Sequence, residues 1–305
     1  MNFKTRLFSG PADITAMIDL VRRFPEDQIH LADLPYRFSS WAFDFLENIR
    51  LWEDEAGQLV AWSVLQPPFW MIDYAYHPDH SELQGQILEW AEAQAQQIVD
   101  TPSGHPAWFV AVFDDQAERI RALEQAGFAS QENVGPDSWS QVWMDHTMFM
   151  PDLRPLPAGF EIRPLNGQAE VAEYVVLHQT VFGTKNMTLE WRARTLDQPG
   201  YQPDLDLVVT APDGSLAAFC IFWLGETAEG TRLGTIEPMG VHADYRKLGL
   251  GKAILTEGLR RLQAKGAKHI SVLTETNFDA AQALYTSAGF QITRKILIYR
   301  RNFSA

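Results

Sequence analysis

The chain is almost without cysteine. Cys220 is the only one, which excludes an intrachain disulfide and any cysteine-built metal cluster. No apolar run reaches the roughly 18 residues that a membrane span requires. The opening stretch, MNFKTRLFSGPADITAM, has neither the apolar segment nor the small-residue cleavage site of a secretory signal. A cytoplasmic protein is the expectation. Positive charge is scarce in the first half. Residues 1–150 carry 8 Lys/Arg against 23 Asp/Glu, whereas the remainder carries 17 against 16. An acidic half of this kind repels nucleic-acid phosphates and anionic membranes, so neither is an expected partner. It tolerates a cationic small molecule.

What is present is a repeat. Phe3 and Phe160, Gly10 and Gly167, and Leu20 and Leu177 all lie 157 residues apart. The same offset joins Gly57–Ala61 to Gly214–Ala218. His77-x-Asp79 then echoes His242-x-Asp244, and Ala126-Gly127-Phe128 echoes Ala288-Gly289-Phe290. Matches in constant order with small drift argue for one fold used twice. The proline-rich segment 150–159 reads as the linker, giving domains at 1–150 and 158–305.

The second copy has the clearer pattern. FEIRPL reads as a strand, and the apolar spacing of 171–178 predicts a helix. A second helix follows over MTLEWRARTLD. Pro212-Asp213-Gly214 is turn chemistry between two β-rich runs. GTIEPMGV reads as a strand. Gly251, Ile254, Leu255, Gly258, Leu259 and Leu262 share one face of a helix that stops before Gly266. Strand, helix and strand complete the chain. Mixed α/β with a largely antiparallel front sheet is the natural outcome.

The junction DYRKLGLGKAIL, residues 244–255, is built for an anion. A helix N-terminus offers unpaired N–H groups and about half a positive charge. Gly249 and Gly251 clear Cβ atoms from it, and Arg246, Lys247 and Lys252 add charge. A P-loop needs a glycine where Arg246 stands and a Ser/Thr where Ala253 stands. A dinucleotide fingerprint needs a third glycine where Ile254 stands. The pattern [R/Q]-x-x-G-x-[G/A] is met in full by Arg246, Gly249 and Gly251.

That pattern, in the segment EPMGVHADYRKLGLGKAIL, resembles the acetyl-CoA-binding motif of the GCN5-related N-acetyltransferase (GNAT) superfamily. TNFDAAQALYTSAGF resembles the superfamily's next motif, and the likeness covers roughly residues 159–303. The implied architecture is α/β: tandem GNAT-like (acyl-CoA N-acyltransferase) domains, each a mixed, largely antiparallel sheet flanked by helices. The implied activity is acetyl transfer from acetyl-CoA to the amine of a small molecule by direct attack in a ternary complex. The rival is a non-catalytic acyl-CoA sensor. By the same resemblance Met239, Gly240 and Val241 splay at a bulge and pair with the pantetheine arm. The amides of Lys247, Leu248, Gly249, Leu250, Gly251 and Lys252, with Arg246 beside them, cradle the pyrophosphate. Asn277 contacts the pantetheine or a water. Tyr285 protonates the leaving thiolate, and Glu237 removes the amine's proton; losing that base would depress turnover most at lower pH. Acceptor pockets in such proteins are assembled from variable loops and the second helix.

Other residues read as structural. Cys220 sits in an apolar strand, His242 and the run from His77 to His80 lie in loops, and no metal site is expected. In the first copy DHSELQGQIL replaces the glycine-rich junction: Ser81 stands for the arginine, Glu82 adds negative charge, and Leu123 aligns with Tyr285. That copy is expected to have lost anion binding and acid catalysis.

Overall fold

The computed structural model describes residues 3–148 and 155–303. The first half contains strands β1 (Lys4–Leu7), β2 (Ile49–Glu53), β3 (Leu59–Gln66), β4 (Met71–Tyr76), β5 (Ala107–Phe113), β6 (Ala129–Ser130) and β7 (Ser140–His146). Its helices are α1 (Pro11–Arg22), α2 (Leu34–Phe38), α3 (Leu83–Ile98) and α4 (Ala117–Gln125). The second half runs β8 (Glu161–Pro164), α5 (Val171–Phe182), α6 (Leu189–Leu196), β9 (Asp206–Thr210), β10 (Leu216–Glu226), β11 (Arg232–Val241), α7 (Leu250–Ala264), β12 (His269–Glu275), α8 (Asp279–Ser287) and β13 (Phe290–Asn302). This is the element order that periodicity and turn chemistry predict for the second copy. Of the expected linker 150–159, residues 150–154 lie outside the described residues.

The repeat extends to loop detail. The imidazole Nδ1 of His77 accepts the Asp79 amide at 3.2 Å, and that of His242 accepts the Asp244 amide at 3.3 Å. Both histidines cap a short turn, as their loop placement predicts. Cys220 is fully buried in β10.

One sheet runs through both halves, in the order β1-β2-β3-β4-β5-β13-β7-β12-β11-β10-β9-β8, with β6 paired to β13. The last strands of the two halves are exchanged. β7 inserts between β12 and β13, and β13 inserts between β5 and β7. The length of β13 makes this possible. Its 13 residues reach roughly 43 Å at about 3.3 Å each, so Phe290–Leu297 pairs with β7 while Ile296–Asn302 pairs with β5.

On one face, α7 and α8 cover the second half, with Leu250, Ile254, Leu255, Leu259 and Leu262 packed against Cys220, Phe222 and Ile236. On the other face a single core joins the halves: Tyr36, Phe38 and Trp62 pack with Tyr174, Trp191 and Trp223. Polar contacts cross this join. Ser39 Oγ lies 2.9 Å from Thr195 Oγ1, and Asn186 Nδ2 donates to the Pro68 carbonyl at 2.8 Å.

Gly258 sets how closely α7 approaches the sheet, since a Cβ there would lie 2.0 Å from the Phe222 ring. Gly258→Ala is therefore expected to destabilise the fold by about 1–3 kcal/mol through overpacking. Chemical denaturation checks this; an unchanged midpoint would mean that Phe222 moves aside without cost.

Candidate active site

The site begins where two strands part. β11 and β12 run parallel, but their register holds only from Leu233–His269 to Thr235–Ser271. Just beyond, Glu237 and Pro238 face the single residue Ile221 of β10, a β-bulge. Proline has no N–H with which to continue a ladder. The extra residue exchanges the faces of everything after it. Ile236 packs beneath α7, and Met239 and Val241 return to that side. Glu237 is left on the opposite face, toward the core shared with the first half. Gly240 also lies there, where a Cβ would stand 2.6 Å from the Phe219 ring and from Val181. Its lack of a side chain serves packing against α5.

Glu237 is half-buried. Its carboxylate makes no hydrogen bond among the described residues, although protein walls surround it. Burial pushes its pKa up to about 7, Asp33 adds to the rise, and Arg37 opposes it. Arg37 is already committed, with hydrogen bonds of 2.7 and 2.9 Å to the Asp73 carboxylate. Tyr285, on α8, belongs to the core on the other side of the sheet. It is buried beside Phe290 and its hydroxyl has no partner among the described residues. Burial raises its pKa, with Cys220 and Glu237 adding to the effect, so the phenol stays protonated at neutral pH. The structure thus brings Glu237 and Tyr285 within electrostatic reach of each other from opposite faces.

The glycine-rich junction lies at the open end of the gap. Lys247 (φ 64°) and Gly249 (φ 83°) are both left-handed, and they turn the chain around exposed Leu248. Gly249 caps α7 without a side-chain hydrogen bond. The amides of residues 247–252 meet no acceptor among the described residues. Arg246 and Lys247 are exposed, and Lys252 is half-buried. None of the three pairs with a carboxylate among the described residues. Leu250 anchors the turn in the core. A Cβ on Gly251 would make ordinary contacts of 3.4–3.6 Å with Val241, Leu284 and Met239, so the helix start rests on the strand end. Asn277 is exposed in the turn after β12. Free amides and unpaired cations fit a diphosphate, which is what the resemblance assigns to this turn.

The corresponding gap in the first half keeps a small cavity, lined by Asp73, Tyr74, Ala111 and Arg119, and polar side chains cross it. β4 and β5 share only the pair Met71–Phe109, but the Arg119 guanidinium lies over Tyr74 and Tyr76, at 4.8 and 5.3 Å. The Gln84 amide donates to Tyr74 Oη and to the Arg119 carbonyl, each at 3.1 Å, and accepts from Tyr76 Oη at 3.2 Å. α3 starts at Leu83 behind a right-handed Glu82. Leu123, opposite Tyr285 in the repeat, is core.

Sequence reasoning missed the first half's reach into the second half's site. Asp33, Tyr36 and Arg37 come from α2 and its N-terminal side, and all act electrostatically on or with Glu237. Tyr174 of α5 does so as well. The available signal was an aromatic–arginine pair in each copy's second helix, Tyr36-Arg37 and Trp191-Arg192.

Residues 172–290 match the acetyltransferase (GNAT) family. A mycothiol acetyltransferase of Kineococcus radiotolerans is 34% identical over 140 residues, covering 44% of each chain. One from Nocardiopsis dassonvillei is 31% identical over 201 residues, covering 53% of this chain and 58% of its own. The chain thus spans about half the length of the curated relatives it matches. Among solved structures, a GCN5-related N-acetyltransferase from Sphaerobacter thermophilus superimposes with a TM-score of 0.64 at 18% identity, covering 98% of this chain and 95% of its own. A tandem GNAT protein from the clavulanic acid biosynthesis pathway gives 0.62 at 10% identity, covering 100% and 99%. At these identities the likeness is one of fold.

Proposed function

Residues 172–290 belong to the acetyltransferase (GNAT) family and the chain has that family's fold in tandem, and from this premise we propose an acetyl-CoA-dependent N-acetyltransferase that acts on the amine of a small molecule at the gap between β11 and β12. The observation that carries the reading is Glu237: a carboxylate without partners, with proton affinity near neutrality, at the edge of a strand gap whose far end holds an uncapped, cation-rich turn. Each half is completed by the other's last strand; we take the halves as domains at 1–150 and 158–305 and assign chemistry only to the second.

Bound acetyl-CoA would supply a thioester as acyl donor. The turn from Lys247 to Lys252 would hold its diphosphate, with Arg246 at the rim, Met239–Val241 along the arm and Asn277 near it. Glu237 takes a proton from the incoming ammonium, whose ordinary pKa near 10 leaves little free amine at pH 7. Its raised proton affinity suits it to that transfer near neutral pH. Tyr285, protonated and on the opposite face, supplies a proton to the departing sulfur. The ammonium loses two protons in all: one leaves through Glu237 to solvent, and the other balances the one that ends on sulfur.

An amine panel with acetyl-CoA and a thiol-release readout tests this. Mycothiol-related amines belong in the panel, because several relatives carry the name mycothiol acetyltransferase. One thiol released per amine acetylated is expected. Tight acetyl-CoA binding without turnover on any amine would favour the sensor and overturn the enzyme.

A further inference from the structure

Three buried tyrosines feel the charge of Glu237 from three elements: Tyr285 on α8, Tyr174 on α5 and Tyr36 on α2. Their hydroxyls make no hydrogen bond among the described residues. Buried phenols normally find a partner; of the three hydroxyls only that of Tyr174 is fully enclosed, so those of Tyr36 and Tyr285 are open to a ligand. Tyr174 lies by the buried Arg192–Asp206 pair, where Arg192 Nε and Nη1 and Asp206 Oδ1 are also unpartnered. Tyr285 already has a role on the thiolate side. Tyr36 is left over.

Tyr36 is held firmly. Its ring packs against Trp191 at 5.3 Å and Trp223 at 6.3 Å. Its carbonyl accepts from Ser39 Oγ at 2.7 Å and from Trp191 Nε1 at 3.3 Å. Trp223 Nε1 in turn donates to the Glu237 carbonyl at 2.7 Å. One indole thus bridges Tyr36 to the bulge that carries Glu237. The phenol is 2% exposed, on the same face of the sheet as the Glu237 side chain. Around it, Arg37 is tied to Asp73, and Asp33 is held 2.7 Å from His30 Nδ1. Tyr174 Oη and Asp206 Oδ1 gather around Arg192, which leaves the Glu237 carboxylate and the Tyr36 phenol oxygen as two acceptors on this face without a protein partner, suited to two N–H donors on one nitrogen.

We propose that Tyr36, supplied by the first half, is an acceptor-binding residue that accepts one N–H of the substrate while Glu237 accepts another, so that the site selects primary over N-methylated amines. Once one proton has gone to Glu237, the neutral primary amine keeps two N–H groups, one for each side chain, and a lone pair for the acyl carbon. An N-methyl amine then has a single N–H and leaves one of the two oxygens unpaired. The inference rests on the acetyltransferase reading and adds the first half's part in it.

The test uses the whole chain and pairs a primary amine turned over in the panel with its N-methyl analogue, for example glycinamide with sarcosinamide. Tyr36→Phe keeps the ring packing and removes only the hydroxyl. The wild type is expected to prefer the primary amine by about tenfold or more in kcat/KM, one lost hydrogen bond to a charged group being about 1.5–3 kcal/mol. In the variant this ratio should fall toward one, with a higher KM for the primary amine and an unchanged KM for acetyl-CoA. An unchanged ratio in an active variant overturns the role of Tyr36 and leaves the acetyltransferase reading intact. No turnover by the wild type overturns both.

Discussion

Glu237→Gln is expected to lower kcat/KM for the amine about 100-fold at pH 7, the lower range of what a positioned base contributes. The neutral amide is nearly the same shape, so acetyl-CoA affinity should hold. The pH dependence carries more information than the size. Burial and Asp33 raise the Glu237 pKa to about 7. Below that value wild type and variant lose activity in parallel, the wild type by protonation of Glu237 and the variant by protonation of its only reactive species, free amine. An ordinary carboxylate would keep widening the gap down to about pH 4.3. The expectation of the largest loss at lower pH is thus limited: the gap stops growing near pH 7. Stability provides an independent check. A carboxyl whose pKa is raised on folding costs stability as pH rises from its unfolded value, near 4.5, through its folded value, near 7. The glutamine variant should therefore melt higher than the wild type at pH 8 and equally at pH 4. Lower melting at pH 8 would mean that the ionised carboxylate has a stabilising partner.

Gly249→Glu is expected to weaken acetyl-CoA binding about 100-fold or more, the loss of two hydrogen bonds to a charged group at about 1.5 kcal/mol or more each. The left-handed φ of 83° disfavours any side chain by about 1–2 kcal/mol. The added carboxylate would also compete for the free amides of the turn and for Arg246, Lys247 and Lys252. Protein contact is not the obstacle, because a Cβ at Gly249 meets nothing within 4 Å. Gly249→Ala separates the two effects: it should fold normally and lose less affinity than the glutamate. Calorimetric titration checks both. Wild-type affinity in the glutamate variant would remove this turn from the mechanism.

Much of this was legible in the residues. The elements of the second half follow from apolar spacing and turn chemistry, and the anion turn from Gly249, Gly251 and the cations beside them. Ser81, Glu82 and Leu123 set the first copy's junction apart from the second's; the Arg119 and Gln84 contacts between its strands were not readable. Nor was the strand exchange. β7 and β13 end equivalent copies, so either could complete either half by pattern alone, and only the length of β13 hinted at a double role. The reach of Asp33, Tyr36 and Arg37 to Glu237 spans some 200 residues of sequence and depends on the shared core. Gly240 read as a ligand contact through its backbone; that its missing side chain also makes room for Phe219 and Val181 was not readable. The proton affinity of Glu237 depends on walls drawn from both halves, which no local segment encodes.

The most direct measurement is kcat/KM for one amine across pH 5.5–9 in the wild type and Glu237→Gln. The account predicts a wild-type profile that rises and levels off above about pH 7, and a variant profile that keeps climbing toward the amine's own pKa near 10. Two profiles of the same shape would contradict it.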